Sequence, residues 1–430
     1  KSYPSYKDSG VEWIGEIPSS WSTCRVKHIV DNSKYYQIGD GDHGSIKPEM
    51  YVSDGIPYIR VQNLSWNGSI SKDGLVYINE EIHNKNLKSK LIPGDLLIAK
   101  TGATVGKIGL VTKKIGESNT TSSVGKVTVN TKNNSEYYFK YQFQSKFFQS
   151  QIWLKSIQKS AQPGFNIDDL IDFKLVKPSL LEQTQIVSFL DHKTQKIDEL
   201  IEKIEQKIEL LKEKRTSLIN HCVTKGLDPN VEMKDSGVEW IGEIPRSWKT
   251  KRLKYVVKEF IRGPFGSSLR IEYFVEKGYK VYEQKNAIYN DLSIGNHYID
   301  EEKYQELNRF KIKSGDILMS CSGTIGKITY IPDKYSEGII NQALLIIRIS
   351  NILSPQFFLY SFRSNYVQEQ VGEYSGGSAM KNIVGMTIFK NILLALPPKS
   401  EQLQIISYLY EQTQKIDSTI EKETKRIELL

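Results

Sequence analysis

Cysteine is scarce. Cys24, Cys222 and Cys321 are the only three in 430 residues, and they lie far apart. They form no CxxC pair and no metal-ligand spacing, which excludes a disulfide scaffold and the common zinc sites. An odd, sparse set is expected of free thiols in a reducing cytoplasm. No run of 18 apolar residues occurs, so nothing reads as a membrane span, and the first residues carry no apolar leader. The catalytic signatures HExxH and GxSxG are missing, as is the GxGxxG of nucleotide and methyl-donor sites. So is the Asn/Asp-Pro-Pro-aromatic tetrapeptide that presents an adenine amino group. The six histidines, His28, His43, His83, His192, His221 and His297, make no ligand pair. The turn Gly102-Ala-Thr-Val-Gly106-Lys107 looks like a phosphate loop, but its glycines are too close together. Ile108 also stands where Ser or Thr must hold Mg²⁺. A Gly-rich turn with a lysine can still touch a nucleic-acid phosphate, and a plain tight turn explains it equally. No catalytic constellation, metal site or cofactor site is legible.

Glycine and proline are absent from residues 182–225, and this stretch organises the chain. From Ile197 the apolar positions are Ile197, Ile201, Ile204, Ile208, Leu211 and Leu218, with Arg215 at the one missed step. Gaps of four and three make a heptad seam. Gly226 and Pro229 end it, as a helix C-terminus should. At 1.5 Å per residue the helix spans roughly 66 Å, more than a compact domain needs. Residues 401–430 match 182–211 at 18 of 30 positions without a gap. The seam returns as Ile416, Ile420, Ile427 and Leu430, with Glu423 in the place of Ile204. A single heptad helix is most often an ordinary packed one. Two near-copies predict a pair that acts as a spacer. The second copy stops at Leu430, where the first continues as KEKRTSLINHCVTKGL, so about a dozen pairing residues are expected to be missing there.

Length alone suggests roughly three domains, but the repeat is better evidence. It gives boundaries at 1–180, 181–227, 228–399 and 400–430: unit, helix, unit, shortened helix. Each unit is large enough to bury its own core. The net charge is +8, yet the first helix is neutral and the second is −2, so the units carry the excess. A basic excess on the globular parts suits nucleic-acid binding.

Each unit opens on one hook, DSGVEWIGEIPSSW at 8–21 and DSGVEWIGEIPRSW at 235–248, identical at 13 of 14 positions. Trp13, Ile14, Ile17 and Trp21 are expected to dock on a neighbouring element. Gly-, Asp- and Ser-rich loops follow, at 31–55 and around RGPFGSSLR at 262–270. The next segments, IPYIRVQNL at 56–64 and YKVYEQKNA at 279–287, read as strands. Alternation there would bring Arg60, Gln62 and His43 to one face. GDLLIAKTGATVGKIG at 94–109 and GDILMSCSGTIGKIT at 315–329 read as strand, Gly-rich turn, strand. SEYYFKYQFQS at 135–145 and SPQFFLYSFRS at 354–364 read as helices with aromatic core residues. Polar loops at 158–167 and 374–383 and short strands at 173–178 and 392–398 close the units. The fold class expected is α+β.

In this order of blocks, and in the quoted motifs with their second copies, the chain resembles the specificity (S) subunits of type I restriction-modification systems. The likeness covers nearly the whole chain. It implies two tandem target recognition domains, each reading half of a split double-stranded DNA site, and two helices paired as an antiparallel coiled coil. It implies two modification (M) subunits as partners, which carry S-adenosylmethionine and methylate adenine. Restriction (R) subunits join them for ATP-dependent cleavage. The S subunit itself catalyses nothing. The DNA-facing candidates in the first unit are His43, Lys47, Arg60, Gln62, Asn63, Lys100, Thr101, Lys107, Lys159, Gln162 and Asn166. In the second they are Ser267, Ser268, Arg270, Glu283, Lys285, Asn286, Ser322, Thr324, Lys327, Ser378, Lys381 and Asn382. Arg60 aligns with Glu283, Gln62 with Lys285, and Asn63 with Asn286. The competing readings are a protein-binding scaffold with a helical dimerisation spacer, and an enzyme with an unfamiliar site.

Overall fold

The computed structural model describes residues 3–34, 36–157, 163–265, 268–373 and 389–430. The chain divides into two compact units, Lys1–Asp198 and Glu199–Leu430.

The first unit is built on a four-stranded sheet of β1 (Ile38–Asp40), β2 (Asp95–Ala99), β3 (Ile108–Leu110) and β4 (Val124–Thr128). Their order is β1-β4-β2-β3, with every neighbour antiparallel. Strands β2 and β4 are buried at every residue, so β2 reads Leu96-Leu97-Ile98 without polar alternation. Alternate side chains still take opposite faces. Leu96 and Ile98 pack with Phe139, Phe143 and Phe148 of the helices Glu136–Gln144 and Lys146–Ile157. Leu97 and Ala99 pack with Ile59 and Leu91 of a second sheet. That sheet pairs Ile56–Ile59 in parallel with Ser118–Thr120.

The second unit repeats the plan. Its main sheet holds β5 (Val257–Arg262), β6 (Ile317–Ser320), β7 (Ile328–Tyr330) and β8 (Leu344–Ile349), in the order β5-β8-β6-β7. Ile317 and Met319 face Phe357, Phe358 and Phe362, while Leu318 faces Tyr282 and Ile340. The repeated aromatic blocks are therefore core, as expected.

Two expectations need correction. The loop expected at 31–55 contains the edge strand β1. The strand-like segments end early, at Ile59 and Tyr282. A 3₁₀ turn, Val61–Asn63, follows the first, and a short helix, Gln284–Ile288, follows the second. The cause is one asparagine in each unit. The Asn63 Oδ1 accepts from Arg60 N–H at 3.0 Å, and the Asn286 Oδ1 accepts from Glu283 N–H at 2.8 Å. Each folds the chain back at the strand end, so alternation stops there.

The long helices are α1 (Leu180–Lys225) and α2 (Lys399–Glu428). Their first turns are tied to their own units in the same way. The buried Gln183 accepts from Ser135 N–H at 2.8 Å and donates to the Pro178 carbonyl at 3.0 Å. The buried Gln402 accepts from Ser354 N–H at 2.8 Å and donates to Pro397 at 3.0 Å. The hooks close on the preceding residue: Trp21 Nε1 donates to Glu182 at 3.2 Å, and Trp248 Nε1 to Glu401 at 2.9 Å. The hooks differ in burial. Trp248 is fully buried among Ile219, Cys222 and Val223 of α1, whereas its counterpart Trp21 is half-buried; Trp13, expected to dock, and its counterpart Trp240 are both exposed.

Within the second unit α1 and α2 run antiparallel. Lys207 pairs with Glu423 at 2.5 Å and Arg215 with Asp417 at 2.9 Å. The two polar breaks in the heptad seam, Glu423 and Arg215, are thus salt-bridge positions. Ile204, Ile208 and Ile416 are buried; Ile201, Leu211, Ile420 and Ile427 are half-buried. Ile197, also half-buried, belongs to the first unit. Among the described residues no helix is long and apolar enough to cross a membrane, and no cluster of His, Cys, Asp or Glu could hold a metal ion. Burial pushes the Cys222 and Cys321 thiols up to about 11, away from reactivity.

Candidate nucleic-acid interface

One end of each main sheet gathers the polar loops. In the first unit Asp40 ends β1 opposite Gly125, and Ala99 ends β2 opposite Val124 at the start of β4. Ile108 begins β3 opposite Ile98. The chain after Asp40, the turn 100–107 and residues 121–123 therefore open at the same end. In the second unit Arg262 ends β5 opposite Leu345, and Ser320 ends β6 opposite Leu344. The registers match Asp40 with Arg262 and Ala99 with Ser320.

Some residues at this end are shared. The Gly-rich turns are real: Gly106 has φ +92° and Gly326 φ +77°, a region that glycine enters without strain. Gln149 donates to the Gly106 carbonyl at 2.9 Å, and Ser320 Oγ donates to the Thr324 carbonyl at 2.6 Å. Each turn delivers a lysine, the half-buried Lys107 and the exposed Lys327. Thr324 is exposed and Ser322 half-buried beside it. Thr101 bridges backbone to backbone with Gly164. Lys47 and Arg270 also correspond. Both are exposed and precede a 3₁₀ turn with nearly the same dihedrals, φ −105° and ψ 159° against φ −106° and ψ 163°. Ser268 is half-buried on that loop.

Other residues there are not shared. In the first unit the exposed His43, at φ +51°, hydrogen-bonds Asp40 at 2.8 Å. Arg60 donates to the Gly74 carbonyl at 2.7 Å, with Gln62 reaching the same oxygen at 3.5 Å. Asp42 accepts from Tyr58 Oη at 2.8 Å and from Ile46 N–H at 2.6 Å. A pocket of about 350 Å³ brings together Asp42, Tyr51, Tyr58, Arg60, Gln62 and residues 121–123. In the second unit Glu283 occupies the place of Arg60. It is bound by Lys285 at 2.8 Å and His297 at 2.7 Å. Burial acts to raise the Glu283 carboxyl, but those two hydrogen bonds outweigh it and hold it below the usual range.

Several candidates are placed elsewhere than the sequence suggested. Asn63 and Asn286 are fully buried, their amides bonded to the Ser71 and Asp73 carbonyls and to the Asp291 and Ile294 carbonyls. They shape turns and meet no groove. Lys100 is buried and paired with Asp40, so it is not a free cation. Asn166 caps the helix Ile167–Asp172, its N–H donating to Asp169 at 2.9 Å. Glu283 is already paired, and Arg60, Gln62, Glu283 and Lys285 leave turns rather than a strand. Lys159, Gln162, Ser267, Ser378, Lys381 and Asn382 lie outside the described residues. Sequence reasoning missed Asp40, Asp42 and Tyr58. The acidic GDGD at 39–42 is the local signal of the two aspartates; Tyr58 has none beyond its place in the strand.

The comparisons with known proteins agree with this geometry. The family model described as the type I restriction modification DNA specificity domain matches residues 41–210 and 245–429. The putative type I restriction enzyme MjaX specificity subunit of Methanocaldococcus jannaschii is 26% identical over 424 residues, 96% of this chain and 93% of its own. The MjaVIII specificity subunit of the same organism is 26% identical over 429 residues, covering 96% and 92%. The StySPI specificity subunit of Salmonella potsdam is 22% identical over 421 residues, covering 95% and 85%. In fold, the chain is similar to one from a structure of the type I R-M system addressing complex assembly and conformational transition, with TM-score 0.71, 15% identity and coverage of 96% and 94%. It is also similar to the HsdS subunit of Thermoanaerobacter tengcongensis, with TM-score 0.58, 16% identity and coverage of 96% and 95%. With both halves matched, the chain belongs to the type I restriction-modification DNA specificity family, whose members are the non-catalytic specificity subunits of those systems.

Proposed function

We propose that the chain reads a bipartite double-stranded DNA target, one half-site per unit, and positions modification and restriction subunits on it. The observation that carries this reading is the divided character of the sheet end in each unit. Lys47 and Arg270 match, as do Lys107 and Lys327, which suits contacts to phosphates that every sequence offers. The residues around them differ in charge and shape, which suits base reading. In this reading S-adenosylmethionine and the target adenine belong to the partner M subunits, and the complex works in the cytoplasm. Paired helices suit a fixed separation between half-sites better than a flexible linker does.

Co-expression with the cognate M subunit, followed by genome-wide mapping of methylated adenines, tests the reading. Two defined half-sites with a constant spacer are expected. Methylation without sequence preference overturns it. Four residues inserted after Lys207 add about one turn, roughly 6 Å. The spacer should then lengthen by about one or two base pairs, with both half-sites unchanged. A retained spacer at full activity shows that the helices do not set it. Cleavage of DNA by the purified chain with Mg²⁺ alone would contradict a non-catalytic role.

A further inference from the structure

We infer that Asp42 and Arg60 together read a G·C base pair in the half-site bound by the first unit. This rests on the reading above and names a base pair that it leaves open. Both residues line one pocket of about 350 Å³ at the polar end of the main sheet. Its only ionisable groups of opposite sign are this carboxylate and this guanidinium, set among hydroxyls and the Gln62 amide. With Arg60 balanced by Asp42, the pocket offers a phosphate no net positive charge. A neutral base edge carrying both donors and acceptors suits it better.

Asp42 is held ready for the task. Tyr58, itself buried, donates to one carboxylate oxygen at 2.8 Å, and Ile46 N–H donates to the other at 2.6 Å. A carboxylate has about four acceptor sites, so capacity remains on a half-buried oxygen pair whose direction is fixed. Arg60 is fixed from the other side. It lies over the Tyr51 ring at 5.9 Å and donates through Nη2 to Gly74. Its Nε–H is buried without a partner among the described residues, so the donors left for a ligand are those at the guanidinium tip, on Nη1 and the second hydrogen of Nη2. Arginine donates to O6 and N7 of guanine, and a carboxylate accepts from N4 of cytosine. The two groups are thus complementary to the two halves of one pair seen from the major groove. Among the described residues the second unit has no such combination at the matching positions. The strand register puts Pro264 where Asp42 stands and Glu283 where Arg60 stands.

Tyr58 is a positioning residue in this scheme, and Asp42 and Arg60 are the readers. The alternative role for Asp42 is a staple for the loop 42–46. Asp42→Asn separates the two roles, because asparagine keeps an oxygen for the Ile46 N–H and its amide can donate to the Tyr58 hydroxyl instead, while the carboxylate that would accept from cytosine is lost. The test uses the complex with the M subunit and the same methylation map, for wild type, Asp42→Asn and Arg60→Gln. The expected wild-type motif holds a required G·C pair in one half-site. Each variant should lower the preference for that same pair roughly tenfold or more, leaving the other half-site intact. Where Asp42→Asn melts early, Asp42→Glu keeps the charge and displaces the acceptor, and the same loss is expected. A wild-type half-site without a required G·C pair overturns the inference. So does an unchanged motif in the Asp42 variants, or effects of the two residues in different half-sites. A wild type that methylates without sequence preference sinks the bipartite reading itself, a distinguishable result.

Discussion

At the end of its main sheet the first unit carries Asp40, Asp42, Arg60 and Lys100, where the second carries Arg262, Pro264, Glu283 and Cys321. The strands beneath them keep one order and one register. Charge has been inverted at two of the four places and lost at the others, while the turn lysines and the buried asparagines stay. The interior also tolerates change if pairing is kept. In the first unit the buried Asp95 is raised by burial, partly offset by Lys126 nearby and by Thr128, whose hydroxyl donates at 2.6 Å. In the second, Asp316 is raised by burial and bound instead by Arg348 at 3.0 Å, which also reaches Glu259 at 2.6 Å. Two different cations, at different positions of the corresponding strands β4 and β8, solve one desolvation problem. The lesson is that the backbone and its turn-forming amides define the site, and the side chains over it are free to differ.

The sharpest way to break this comparison is at the hooks, where near-identical sequence meets different burial. Trp248→Ala should cost about 3–5 kcal/mol, as for other fully buried aromatics. Trp21→Ala should cost clearly less, because its ring is half-buried. Urea unfolding of the two variants measures the difference, and equal losses would show that burial does not govern the hook.

Next in size are the asparagines. Asn63→Ala and Asn286→Ala should each destabilise by about 1–3 kcal/mol, since each strands carbonyls and an N–H that the amide had satisfied. The methylation motif of the surviving protein should stay as it was. A changed motif with unchanged stability would return them to the list of base readers.

Smaller again is the effect of the turn lysines. Lys107→Ala and Lys327→Ala should each weaken binding to all sequences and reduce the salt slope by about 1, measured by titrating DNA at several ionic strengths. A loss confined to one half-site would contradict a phosphate role.

The smallest effect expected is an acid sensitivity at Glu283, which has no counterpart in the first unit, where Arg60 takes its place. The Glu283 carboxyl is held below its unfolded value. Its contribution is therefore complete above the ordinary glutamate range, about pH 4.3, and fades as pH falls through the lowered value. Lys285→Ala removes one of the two hydrogen bonds, so the drop in melting temperature between pH 7 and pH 3 should shrink. An unaltered drop would show that the pair is not the source.

How much of this could be read beforehand depended on the distance of the partners. The heptad helices, the strand–turn–strand blocks and the aromatic core are local patterns, and the internal repeat doubled each signal. Arg60 to Asn63 misled because IPYIRVQNL alternates well enough to pass for one strand. What ends it is Asn63 bonding carbonyls 8 and 10 residues away. Lys100 looked like a free cation because its partner, Asp40, is 60 residues distant in sequence. Asp42 goes unnamed because its partner Tyr58 lies 16 residues away in sequence, and GDGD alone reads as an exposed loop.

The glutamine at the head of each long helix has a consequence for exchange. Gln183 and Gln402 clasp the backbone N–H of Ser135 and Ser354 and a prolyl carbonyl, and the tryptophans of the hooks close on Glu182 and Glu401. Every group in that clasp is either main chain or common to the two copies. It senses nothing of the loops that differ at the far end of the sheet. A unit grafted from a relative with the same hook and the same serine meets the same socket, so one half can be transplanted without redesigning the joint, and under the proposed bipartite reading the graft should bring its own half-site with it.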